Sequence, residues 1–125
     1  MQQEKQNKFS IIERTFDFSV KIIKLCNTLD KTNRAAEILC KQILRSGTSI
    51  GANLEEGQAA QSRSDFIHKY NIALKEARET SYWLRLLAKS EIAQTKRLSG
   101  LIQESKEITL IIAKIITNTK NNSLV

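Results

Sequence analysis

The stretch SRSDFIHKYNIALKEARETSYWLRLLA, residues 62–88, decides the fold class. Phe66, Tyr70, Ala73, Ala77, Thr80, Leu84 and Leu87 recur at spacings of 4,3,4,3,4,3, which is one face of a long α-helix. Ile67, Leu74 and Ala88 widen that face. Ser62 and Asp65 at its head have the form of a capping box. The spacing predicts a helix over 63–89.

Three further segments carry the same period. In the first, over 10–29, Phe9, Ile12, Phe16, Ser19, Ile23 and Cys26 form one seam, and Ile11, Phe18, Ile22, Leu25 and Leu29 a second. Two adjacent seams exceed what one monomer core usually needs. The first is assigned to the core. The second, with Trp83, Leu86, Leu110 and Ile111, is assigned to subunit contacts. After a loop over 30–33, where Thr32 or Asn33 supplies a cap, a helix is predicted over 34–57, its core stripe being Ala35, Ile38, Leu39 and Ile43. Ser90 to Ala93 connects to a last helix over 94–119. Its seam is Leu98, Leu101, Ser105, Ile108, Ile112 and Ile115, and residues 118–125 are expected to fray.

The chain has 125 residues, no proline and only four glycines. All-β domains need frequent turns, which draw on both residue types. Long helices with short connections remain, and short connections make neighbours antiparallel. The expectation is therefore a single all-α domain over 1–125, an antiparallel up-down-up-down four-helix bundle. Cys26 and Cys40 fit no zinc spacing and are read as reduced core residues. The polar N-terminus carries no signal peptide and no stretch is long enough to span a bilayer, so a cytoplasmic location is expected.

Signatures of catalysis are scarce. His68 is the single histidine, which excludes a histidine-based metal site and the Glu-x-x-His pairs of di-iron bundles. No Walker A, G-x-S-x-G or G-x-G-x-x-G motif occurs. No catalytic, cofactor-binding or metal residue is assigned, and a non-enzymatic protein without cofactors is expected.

The informative departure is RSGTSIGANLEEG, residues 45–57. Ser46, Ser49, Asn53 and Glu56 continue the stripe of the second helix with polar groups, at spacings of 3,4,3. Buried polar groups left unpaired cost about 1–3 kcal/mol each. The seam is thus read as a network that fixes helix register, with Glu79 as a candidate partner. Gly47 and Gly51 would admit a neighbouring helix closely. Pocket and subunit contact remain alternative readings of the same seam.

Ser46-x-x-Ser49-Ile50-x-x-Asn53-x-x-Glu56-Gly57, followed by the Ala-x-x-Glu-like segment around Leu74 to Glu79, resembles a bacterial four-helix bundle family. That family includes proteins encoded within intervening sequences of 23S rRNA genes and is also labelled S23 ribosomal protein. The likeness covers roughly residues 9 to 117. Glu55 departs from it, standing where members often carry a small residue. The resemblance implies a homo-oligomeric ring, a homopentamer. Related accessory proteins of diversity-generating retroelements form basic-channelled rings that bind nucleic acid and a reverse transcriptase.

The formal charge is +7. By segment it is +2 over 1–33, zero over 34–61, +2 over 62–93 and +3 over 94–125. Lys75, Arg78, Tyr82, Arg85 and Lys89 form a basic stripe with an aromatic at its centre, at spacings of 3,4,3,4. Lys21 and Lys24 share a face of the first helix with Arg14, Lys31 and Asp17. Such stripes can track phosphates, and a tyrosine among them can stack a base. They are equally the ordinary solvated face of a bundle. The functional expectation is an oligomer that binds RNA or DNA. The alternative is an adaptor that docks a protein such as a polymerase.

Overall fold

In the computed structural model of the chain, the described residues are 2–29, 32–93 and 96–122, the side chains of 2–10 excepted. Four helices account for most of them: α1 (Gln2–Thr28), α2 (Arg34–Gln58), α3 (Arg63–Lys89) and α4 (Lys96–Asn122). Each packs on its sequence neighbours, and α1 also packs on α4. The diagonal pairs α1–α3 and α2–α4 bring no Cα atoms within 8 Å of each other among the described residues. Cross-helix partners run in opposite senses: Thr15 meets Gly51 while Ile22 meets Gly47, and Lys69 meets Glu56 while Thr80 meets Ser46. The bundle is therefore antiparallel, as the short connections require.

Asn33 caps α2, its side chain accepting from the Ala36 N–H at 3.0 Å. Ser62 caps α3 and accepts from the Asp65 N–H at 3.0 Å. At the other end of α3, Glu91 takes a positive φ of 62°. The outer helices run longer than their periodicity predicts. α1 begins at Gln2, and α4 stays helical to Asn122 where fraying was expected. Gln94 and Thr95, expected to open α4, and Phe9 of the first seam lie outside the described residues or side chains.

The core corrects the reading of α1. Ile11, Phe18, Ile22 and Leu25, the seam assigned to subunit contacts, are the buried ones. Phe16 and Ile23 of the other seam are 61% and 43% exposed. Both seams have the same period, so spacing alone cannot say which one turns inward. What completes the buried seam is Thr15, fully buried, whose hydroxyl donates to the Ile11 carbonyl at 2.8 Å. With its polar atom satisfied inside its own helix, Thr15 packs as an apolar residue would. On α2, Ala35 and Ile38 face solvent, and the inward stripe is Ala36, Ile43, Ile50 and Leu54. The seams read for α3 and α4 are buried apart from Phe66, which is partly buried, and Leu110 is 71% exposed. Trp83 and Ile111, assigned to subunit contacts, are partly buried against the core.

Small residues set how closely the helices approach. A Cβ on Gly47 would lie 3.0 Å from Ile22, and one on Gly51 would lie 3.2 Å from the Thr15 hydroxyl. α1 therefore lies directly against the α2 backbone. Gly57 provides the same relief to α3, since the ring of buried Tyr70 lies against it. No helix among the described residues is long and apolar enough to cross a membrane.

Candidate functional site

The polar seam of α2 does not form one network. Ser46 is fully buried and meets Thr80 of α3, with 2.9 Å between the hydroxyl oxygens. Asn53 Nδ2 donates to Ser49 Oγ at 3.0 Å and to the Ser49 carbonyl at 2.9 Å, so this pair bonds within α2. Glu56 is exposed and pairs with Lys69 at 3.0 Å. Glu79, the expected partner of the seam, instead accepts from Arg45, which also reaches buried Glu76 at 3.2 Å. Only Ser46 of the four is fully buried; Ser49 and Asn53 are partly exposed and Glu56 is exposed. The partner missed in the sequence is Thr80. Glu55 is exposed, so its charge stays in water despite the departure from the family pattern.

Tyr70 closes this edge from below. Its ring stacks on Phe66 with centroids 4.1 Å apart, and Gln58 Nε2 donates to its hydroxyl at 2.6 Å. Burial pushes the Tyr70 phenol above its ordinary pKa, and the Gln58 bond opposes that shift.

The two basic stripes differ in kind. On α1, Lys21 pairs with Glu104 of α4 at 3.0 Å. Arg14 pairs with Glu107 at 2.8 Å and Glu104 at 3.6 Å. The hydrogen bond from Arg14 holds the Glu107 carboxyl below its ordinary pKa, and the same bond raises that of Arg14. Lys24 lines a cleft with Lys21, Arg97 and Glu104, so carboxylate and cations share that face. Lys31 lies outside the described residues. On this face Arg14 and Lys21 are thus paired by α4, while Lys24 has no ion pair among the described residues.

The α3 stripe has no such pairing. Lys75, Arg78, Tyr82, Arg85 and Lys89 are all exposed on one flank. None of these four cations forms an ion pair among the described residues. Over 14 residues of helix the stripe extends about 21 Å. The Arg85 guanidinium lies 5.9 Å from the Tyr82 ring centroid, and its Nε donates to the Ser81 carbonyl at 3.3 Å. Beside it runs an open groove of about 590 Å³ lined by Tyr82, Arg85, Leu86, Ala88, Lys89 and Ile102. An adjoining groove shares Ala88 and Ile102 and adds Lys106 of α4. Lys106 escaped the sequence reading because it belongs to no stripe on its own helix; only the packing of α4 on α3 brings it to this edge.

His68 is exposed, and no group of three or more His, Cys, Asp or Glu among the described residues could hold a metal ion. Cys26 and Cys40 face each other across α1 and α2, the Cys26 thiol donating weakly to the Cys40 carbonyl at 3.9 Å. Burial, reinforced by the neighbouring thiol, pushes Cys26 up to about 12.

None of the curated proteins matches the chain. Among solved structures it is similar to a protein of unknown function from the S23 ribosomal protein family of Bacteroides thetaiotaomicron. The two share 43% sequence identity and a TM-score of 0.80, over 89% of this chain and 98% of that one. The family model described as 23S rRNA-intervening sequence protein matches residues 7–114, nearly the whole bundle. With motif, fold and sequence in agreement, the chain belongs to the 23S rRNA-intervening sequence protein family.

Proposed function

We propose that this protein is a non-enzymatic, self-assembling bundle that binds RNA or DNA through the α3 stripe. The observation that carries the reading is the contrast between two faces of similar composition. Arg14 and Lys21 of α1 have carboxylate partners on α4, whereas Lys75, Arg78, Arg85 and Lys89 have none among the described residues. Uncompensated cations in a row attract a polyanion, and their effect weakens as salt rises. Assembly is supported by Phe16, Val20 and Ile23, an exposed apolar stripe on α1. A homopentameric ring is the form suggested by the family resemblance.

Fluorescence anisotropy with labelled RNA and DNA at two salt concentrations tests the reading. Binding should fall steeply with salt and fall further in Arg78→Glu and Arg85→Glu, while Lys21→Glu should change it little. No binding at low salt would favour the adaptor, a docking platform for a protein partner.

A further inference from the structure

We infer that the groove between α3 and α4 is a seat for an unpaired base, which makes the ligand single-stranded rather than duplex nucleic acid. The inference rests on the nucleic-acid reading above and deepens it. The groove has an apolar floor, Leu86, Ala88 and Ile102, with the half-exposed Tyr82 ring at one wall. Its rim is cationic: Arg85 and Lys89 on α3, and Lys106 where the groove continues along α4. A duplex presents phosphates outward and keeps its bases stacked inside. It could use the rim but would leave the apolar floor and the Tyr82 face uncovered. A single strand offers both parts, a flat ring for the tyrosine and floor and a phosphate for each cation. Arg85 is held for such a role. Its Nε is engaged by the Ser81 carbonyl and its plane sits near the Tyr82 ring, so its terminal nitrogens are left to meet a phosphate next to a base stacked there. Because stacking accepts any base, the site would show little sequence preference.

The test compares labelled oligodeoxythymidylate and oligouridylate with a hairpin duplex of equal phosphate number, at low salt. The wild type should bind the single strands more tightly than the duplex. Tyr82→Ala should weaken single-strand binding about tenfold or more, the usual loss for one stacked base. Tyr82→Phe, which keeps the ring, should restore it, and neither change should alter duplex binding. Tyr82 is exposed, and unchanged far-ultraviolet circular dichroism would verify that both variants fold. Equal affinity for strand and duplex, with Tyr82→Ala neutral but Arg85→Glu disruptive, would overturn the base seat and leave the wider reading standing. Loss of assembly in Tyr82→Ala would make the groove a subunit contact and overturn it as well. Absence of binding to any probe would remove both.

Discussion

Thr80 Oγ1 lies 2.9 Å from Ser46 Oγ in the interior of the bundle, and both side chains are fully buried. Ser46 also donates to the Gln42 carbonyl at 2.9 Å, and Thr80 to the Glu76 carbonyl at 2.7 Å. Two hydroxyl protons thus serve three contacts, of which only one joins α2 to α3. Removing either hydroxyl leaves the other bonded within its own helix. Ser46→Ala and Thr80→Val should each cost only about 1 kcal/mol by urea denaturation. The double variant should cost less than the sum, because the single bond between helices is lost only once.

Two glycines should respond to alanine with opposite signs. At Gly57 a Cβ would lie 2.7 Å from the Tyr70 ring, which Phe66 stacking and the Gln58 bond hold in place. Gly57→Ala should destabilise by about 1–3 kcal/mol through overpacking. Gly100 has nothing within 4 Å of a new Cβ, so Gly100→Ala should stabilise α4 by up to about 1 kcal/mol. Thermal melts of the two variants check both signs.

The Arg14–Glu107 bond predicts acid sensitivity. Glu107 titrates below its ordinary value of 4.5 in the folded chain, so the unfolded chain binds its proton first. The stabilisation is present above that value and is lost as pH falls through the lower folded pKa. Stability of Glu107→Gln should therefore fall less between pH 5 and pH 3 than that of the wild type.

Cys26 predicts the reverse at high pH. Its folded pKa of about 12 exceeds the ordinary 9.0, so its contribution is complete below 9 and declines as pH rises toward 12. Cys26→Ala should show a shallower alkaline loss of stability. Alkylation of the native protein at pH 8 should label Cys40, which is only partly buried, well before Cys26.

Phe16 and Ile23 should matter to assembly and not to folding. Phe16→Glu and Ile23→Glu remove exposed apolar surface from α1. By light scattering they should shift the protein toward the 14.2 kDa monomer with helicity unchanged. A wild type already monomeric at micromolar concentration would refute the assembly.

Much of this fold was readable in advance because α3 and α4 each carry a single inward stripe without a rival. α1 was not, since two stripes compete there and the polar Thr15 hides the continuity of the buried one. The candidate site divides the same way. The α3 stripe can be read from spacing, but whether a cation is compensated depends on the facing helix. Neither the Lys21–Glu104 pair, 83 residues apart, nor the approach of Lys106 to Tyr82's groove leaves a local trace.

α1 and α3 occupy opposite corners of the bundle, with no Cα atoms within 8 Å of each other among the described residues. An assembly whose contacts use the outer edge of α1 and not the α3 flank would leave that flank uncovered on every copy. A strand long enough to reach two such flanks would bind the second as an intramolecular event, at the high effective concentration set by subunit spacing. Modest affinity at each flank would then suffice for tight retention of long chains, and short ones would be released. The diagonal placement of grease and charge would thus act as a length filter on whatever polyanion the assembly meets.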